Sequence, residues 1–334
     1  MSPDADIVET LRADGFLPPA AEVRLQRLTG GVSSDVFRLD APQGPVCVKR
    51  ALAALRVAAD WRAPVERSHF EVEWLRTARA FVGEAVPEVL FEDRAASLFV
   101  MSFYDPATHS VWKTDLAAGR VDEALAAQVG EMLAKVHSGA AGSAEIAARF
   151  QTTALFEDLR LAPFLRHCAL AHPDLAPQLV GLADRTAAAR ITLVHGDVSP
   201  KNILHGPKGP ILLDAECAWY GDPAFDLAFC SAHLHLKTVW KPAYAEEFLR
   251  SVAALRNAYL AGVDWEPAED LDARAAPLTA AVLLARVDGK SPADYLQTED
   301  DRGFVRETAR RMLSGGMSTM AGLAADWSRA LSAR

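Results

Sequence analysis

The chain has 334 residues, 50% hydrophobic and 24% charged, with 35 Lys plus Arg against 44 Asp plus Glu. Those fractions exclude disordered, collagen-like and fibrous classes. The formal net charge of −9 argues against a protein that tracks along nucleic acid or an anionic membrane surface. The length allows about two domains at roughly 150 residues each, or one bilobal enzyme.

Cys47, Cys168, Cys217 and Cys230 form no C-x-x-C pair, which fits a reducing compartment better than a disulfide scaffold. The stretch from Met1 to Phe16 has no basic start followed by an apolar core, so no signal peptide is expected. Apolar runs such as 280–285 fall far short of the roughly 20 residues of a membrane span. A cytoplasmic protein is expected; the acidic balance leaves open a cationic partner or a neutral small molecule, and monomer and homodimer are both open.

In chain order, 23–28 reads as a strand, followed by the small-residue turn Gly30-Gly31-Val32-Ser33-Ser34. Residues 36–39 and 46–49 read as a strand pair around the turn 41–45. Phe70, Trp74, Thr77/Ala78 and Phe81 recur at helical spacing. Two more strands follow at 86–91 and 97–101. Asp122 caps a helix with the stripe Leu125, Val129, Met132, Leu133 and Val136. Helical segments dominate near 174–190, 243–262, 273–287 and 303–331, interrupted by a β-rich island at 191–216. The expectation is a small β-rich N-lobe over 1–104 and a larger, mostly helical C-lobe over 105–334.

The chemistry concentrates in the island. A strand ends at His195-Gly196-Asp197; Asn202 follows, then the apolar run Ile211-Leu212-Leu213 and Asp214-Ala215-Glu216. His-Gly-Asp alone is most often a turn. With Asn202 five residues on and an acid after a strand, the set matches what phosphoryl transfer needs. One carboxylate orients a hydroxyl and takes its proton, and hard oxygen ligands hold a divalent cation against phosphates. Asp197 is the candidate catalytic base; Asn202, Asp214 and Glu216 are the candidate metal ligands.

His195-Gly196-Asp197-x4-Asn202, Asp214-x-Glu216 and the segment from Tyr220 to Ala228 resemble the aminoglycoside phosphotransferase and choline kinase-like family, small-molecule relatives of the protein kinases. The resemblance is clear from Leu28 to about 235. It implies a bilobal α+β protein-kinase-like fold, with ATP (less readily GTP) and Mg²⁺ as cofactors and a small hydroxyl compound as acceptor. It implies a nucleotide-binding set of Gly30, Gly31, Ser33, Ser34, Lys49, Glu73, Met101 and Phe103. Lys49 would anchor phosphates, Met101 and Phe103 would flank the adenine, and Asp226 would brace the catalytic loop. The partner of Lys49 is Glu71 or Glu73. The helix pattern does not separate them, and the spacing to Val86-Pro87 favours Glu73.

The stretch 48–71, including Val57, Trp61 and Arg62, together with 214–221, resembles the methylthioribose kinases, which points to a sugar-like acceptor. An aminoglycoside is the runner-up, and a non-catalytic nucleotide-binding protein is the alternative of another class. Arg286, Asp288 and Lys290 are candidate acceptor-pocket residues. Gly289-Lys290-Ser291 is no P-loop, because Leu284 stands where that motif needs its first glycine. His233 and His235 lie two apart on a helix and point away from each other. The acids near 266–272 and 299–301 read as solvated faces.

Overall fold

The structure, a computed structural model, describes residues 3–28, 33–52 and 64–334. Gly30, Gly31, Val57, Trp61 and Arg62 lie outside the described residues. Helix α1 (Pro3–Ala13) precedes strands β1 (Arg24–Arg27), β2 (Ser34–Ala41) and β3 (Gly44–Ala51). Helix α2 (Arg67–Val82) leads to β4 (Val89–Asp93) and β5 (Leu98–Ser102). These five strands form an antiparallel sheet in the order β1-β2-β3-β5-β4.

Alternation along β3 decides which side chain faces what. Val46 and Val48 join Phe37, Leu39, Leu98 and Val100 in a core beneath Ile7 and Leu11 of α1. Cys47 therefore turns to the opposite face, against Val72, Trp74 and Phe99. Lys49 shares that parity and is only 4% exposed.

The helical part begins with β6 (Ser110–Val111), α3 (Trp112–Ala117) and α4 (Glu123–Ala140). Asp122 caps α4 as expected, accepting from the backbone N–H of Ala124 at 2.8 Å and of Leu125 at 3.2 Å. Short helices α5 (Ala144–Arg149) and α6 (Thr153–Phe156) follow. Residues Glu157–Arg166 then wind as a π-helix around Pro163, a local widening that often accompanies functional sites. Next come α7 (His167–Ala171), α8 (Ala176–Ala188) and β7 (Thr192–Val194). Strands β8 (Ile203–Gly206) and β9 (Gly209–Leu212) form the expected hairpin, which β6 joins, and β10 (Trp219–Gly221) pairs with β7.

Helices α9 (Ala224–Trp240), α10 (Ala245–Ala261), α11 (Ala268–Asp288), α12 (Glu299–Gly315) and α13 (Met320–Ser332) complete the chain. The segment read as one helical stretch at 303–331 is thus two helices. The left-handed conformation of Gly316 ends the first and Thr319 caps the second. One apolar cluster runs from Trp74 and Phe99 through α4 to Leu255, Leu283 and Trp327. All four cysteines are buried thiols. The acids at 266–272 are not all solvated: Asp272 is 3% exposed and holds Arg256 at 2.7 and 2.9 Å. Among the described residues, no helix is long and apolar enough to cross a membrane.

The turn after β7 depends on Gly196. Its φ is +79°, and a Cβ there would lie 2.6 Å from the Cys217 carbonyl oxygen. Gly196→Ala should therefore destabilise the fold by roughly 2 kcal/mol or more, read as a lower urea midpoint; an unchanged midpoint would show that the turn relaxes freely.

Candidate active site

The chain turns from β7 into a loop carrying His195, Gly196 and Asp197. Asp226, on the first turn of α9 and 0% exposed, accepts from the backbone N–H of His195 and of Gly196, both at 2.8 Å. His137 Nε2 lies 3.3 Å from the same carboxylate, and Tyr259 lies 2.7 Å from His137 Nδ1. The loop backbone is thus tied to α4, α9 and α10. His195 Nδ1 accepts from the Asp197 N–H at 3.1 Å, and Nε2 faces the Leu213 carbonyl at 3.1 Å. Burial lowers the His195 pKa, so the imidazole is a neutral brace between two backbone segments.

Asp197 is 3% exposed. Arg160 Nη2 lies 2.9 Å from one carboxylate oxygen, and Lys201 Nζ lies 3.1 Å from the other. Asn202 Nδ2 donates to that second oxygen at 2.8 Å and to the Asp197 carbonyl at 3.0 Å. Burial alone would raise the Asp197 pKa, but Arg160 and then Lys201 outweigh it and hold the carboxyl below its usual range. Arg160 was not legible as a site residue. It comes from the π-helix, where Nε also donates to the Gly196 carbonyl at 2.6 Å.

From the sheet, Lys49 Nζ donates to both oxygens of Glu71, at 2.7 and 2.8 Å, and to Asp214. Burial disfavours its charge, yet Asp214, Glu71 and Glu216 together keep it protonated. Burial raises the Glu71 pKa to about 7 against the pull of Lys49. Asp214 has a φ of +69°, an uncommon backbone state for a residue with a side chain. Burial would raise its pKa too, but Lys49 and Lys201 hold it low.

The expected Lys49–Glu73 pair is corrected by this geometry. The buried face of α2 runs through Arg67, Glu71, Trp74, Leu75 and Ala78, positions that stack on one helix side. Glu73 falls outside it, 3.5 to 3.7 Å from Arg76, Arg94 and Arg149. Glu73, His69 and Glu92 are the only described trio of such groups close enough to hold a metal, and those arginines, with Arg76 2.7 Å from Glu92, already neutralise it.

Glu216 accepts from Arg67 Nε at 3.0 Å. Arg67 is 0% exposed and also donates to the carbonyls of Ser33 and Leu52, at 2.6 and 2.7 Å. It thereby ties the ends of β2 and β3 to the segment after Asp214. Ser33 and Ser34 are buried at that edge. Met101 lies inside the sheet ladder, opposite Cys47 and Val89, and Phe103 lies just past its end.

The acceptor candidates separate. Arg286 lies within the electrostatic reach of Asp197 and Arg160. Asp288 instead holds Arg306 at 2.7 and 2.8 Å and His172 at 2.9 Å, an ion-pair group binding α11 to α12. Lys290 is exposed. His233 and His235 are both buried, His235 against Trp327.

A small antiparallel sheet joined to a larger helical part is the protein-kinase-like architecture. The chain belongs to the phosphotransferase enzyme family, whose sequence pattern matches residues 24–271. It is 25% identical over 277 residues to methylthioribose kinase 2 of Oryza sativa, covering 73% of this chain and 65% of that protein. It is 28% identical over 293 residues to the methylthioribose kinase of Yersinia enterocolitica, covering 78% of this chain and 72% of that protein. The chain thus spans about two thirds of the length of these relatives. In fold it is similar to a choline/ethanolamine kinase family protein from Mesorhizobium loti, with TM-score 0.53, 19% identity and 98% of each chain covered. An amicoumacin kinase solved in complex with AMP-PNP, Ca²⁺ and Ami aligns at TM-score 0.59 and 14% identity, over 94% of this chain and 95% of that one.

The two glutamates of α2 should behave differently. Glu71→Ala leaves Lys49 buried without its bidentate partner and should cost roughly 3 kcal/mol or more. Glu73→Ala removes half-exposed pairs and should cost under about 1 kcal/mol. Urea denaturation of the two variants decides it, and equal losses would contradict the pairing.

Proposed function

We propose that this chain transfers the γ-phosphoryl group of ATP to a hydroxyl of a small, sugar-like molecule. The observation that carries the reading is Asp197, a buried carboxylate held ionised by Arg160 and Lys201, on a loop fixed to the segment of Asp214, which the Lys49–Glu71 pair meets. An ionised carboxylate in that position can orient a hydroxyl and accept its proton. The acceptor oxygen bonds to the γ-phosphorus, the bond to the β–γ bridging oxygen breaks, and ADP leaves. The hydroxyl proton passes to Asp197.

In this reading Lys49 holds the phosphates, with Glu71 holding Lys49. Gly30, Gly31, Ser33 and Ser34 cover the nucleotide, and Met101 and Phe103 flank its base. Asn202 and Asp214 fit a divalent cation, Mg²⁺ in our proposal. The Asn202 amide nitrogen is engaged by Asp197, which leaves its carbonyl oxygen as a hard-oxygen donor that would hold such a cation together with the Asp214 carboxylate. When bound, such a cation neutralises charge on the phosphates. Glu216 serves better as the anchor of Arg67 than as a ligand. The methylthioribose kinase relatives support a sugar-like acceptor, and the kinase neighbour solved with AMP-PNP and Ca²⁺ supports a nucleotide with a divalent metal.

Asp197→Asn should lower kcat by about 10³-fold on any acceptor the wild type uses, while Mg-ATP still raises the melting temperature. Full turnover in that variant would sink the base assignment. Firm Mg-ATP binding without turnover of sugars, amino alcohols or aminoglycosides would favour a non-catalytic nucleotide-binding protein.

Arg160 supplies a pH test. Asp197 must be ionised to accept the proton, so activity falls as pH drops through its depressed pKa. Arg160→Met removes the largest opposing influence and leaves burial, which raises the pKa. The acid limb of kcat/KM should therefore move up by roughly one pH unit or more. An unmoved limb would show that Arg160 does not set the ionisation of Asp197.

A further inference from the structure

Beyond Asp197 the helical part gathers cations that the transfer step does not use. Along α9, His233 and Lys237 stand one turn apart on one face. Lys237 is 1% exposed, with Nζ 3.5 Å from the centre of the Tyr295 ring and 4.6 Å from that of Trp240. Lys113 Nζ approaches the same Tyr295 ring at 5.6 Å. Arg286, at the end of α11, bonds to Ser291 but leaves its buried Nε without a partner, and the buried Tyr295 hydroxyl has none either. The His233 ring lies 5.0 Å from Phe229, which lies 5.5 Å from the Arg160 guanidinium bound to Asp197. The cluster therefore begins within two ring contacts of the proposed base. Lys113 keeps 37% of its side chain exposed, so the cluster has a wet side.

No carboxylate lies within ion-pair distance of Lys237 among the described residues. The acid nearby, Asp294, is 78% exposed and pairs with Lys113 at 3.6 Å. Burial, then Lys113 and Arg286, push the Lys237 pKa down to about 6. Burial and then Arg286 and Lys237 push His233 well below its usual value. Ring faces return only part of the cost of burying an ammonium. An anion seated among these groups would relieve their mutual repulsion, restore the Lys237 charge and satisfy both the Arg286 Nε and the Tyr295 hydroxyl.

We propose that Lys113, Lys237, Arg286, His233 and Tyr295 form the acceptor subsite, and that the acceptor carries an anionic group, a carboxylate or a phosphate monoester, beside the hydroxyl presented to Asp197. The inference rests on the kinase reading of Asp197 and narrows it. A cationic acceptor such as an aminoglycoside would meet like charge here.

The test is an acceptor panel of matched compounds with Mg-ATP: glycerol, glycerate, glycerol phosphate and choline; ribose, ribonate and ribose 5-phosphate; kanamycin. The expected result is a kcat/KM at least ten-fold higher for an anionic member than for its neutral counterpart. The carboxylate and phosphate arms identify which anion fits. Lys237→Met should raise the KM for that member ten-fold or more relative to the KM for ATP, with kcat changed far less. Lys113→Gln, at a half-exposed position, repeats the test if the first variant folds poorly. A neutral or cationic best acceptor, or an anionic preference that survives both variants, overturns the subsite and leaves the kinase reading standing. Melting temperatures with each compound, nucleotide omitted, separate the two ideas. An anionic member that stabilises wild type but not Lys237→Met, yet is never phosphorylated, supports the subsite and sinks the kinase reading. No turnover and no stabilisation by any anionic member overturns the subsite.

Discussion

The site hangs on one buried carboxylate. Asp226 is withdrawn from water and holds two backbone N–H groups of the turn that carries Asp197. Hydrogen bonds to a charged acceptor contribute roughly 1.5–3 kcal/mol each, and a buried carboxylate deprived of them would be left uncompensated. The left-handed Gly196 and the neutral His195 both follow from that anchorage. Glycine lets the two N–H groups converge on one side chain. Histidine then ties Asp197 back to the Leu213 carbonyl, so the loop and the Asp214 segment are fixed relative to each other.

The second constraint is that the sheet side of the site supplies two cations to two acids of the helical side. Lys49 reaches Asp214, and Arg67 reaches Glu216. Both cations sit on sheet-side elements with almost no exposure, and both are also held at home, Lys49 by Glu71 and Arg67 by backbone carbonyls. A side chain so anchored loses little further freedom when it binds, which is how a rigid scaffold prepares a site in advance. Neither pair is an ordinary stability device, because burying ions costs as much as their attraction returns.

The strands, the catalytic-loop string and the hairpin were legible because alternation and turn residues act locally. Lys49 was legible through the resemblance. Its partner was not, for a definite reason. Reading the apolar stripe of α2 from Phe70, Trp74 and Phe81 rotates the helix, since Phe70 and Phe81 are only partly buried. The true inward face includes Arg67 and Glu71, whose charges look like solvent positions until the opposite charges that meet them are known. Arg160 was hidden for a related reason. A π-helical winding displaces its residues from the 3.6 period that pattern reading assumes, and nothing local marks an arginine whose partner lies 37 residues away, at Asp197.

Net charge illustrates the same gap between whole-chain and local properties. The −9 of the chain suggests an affinity for cations, yet many of its acids are already paired. Asp288 with Arg306 and Asp272 with Arg256 join helices to one another, and Glu266 with Arg274 ties the α10–α11 connection to α11. What remains beyond Asp197 is a group of basic side chains, Arg286, Lys237 and Lys113, of which, among the described residues, only Lys113 has a carboxylate partner, the exposed Asp294. A ligand a few ångströms from these groups feels their field at low effective dielectric, whereas distant surface acids act through water and salt. In our proposal the acceptor is therefore chosen by these nearby bases and not by the net charge of the protein.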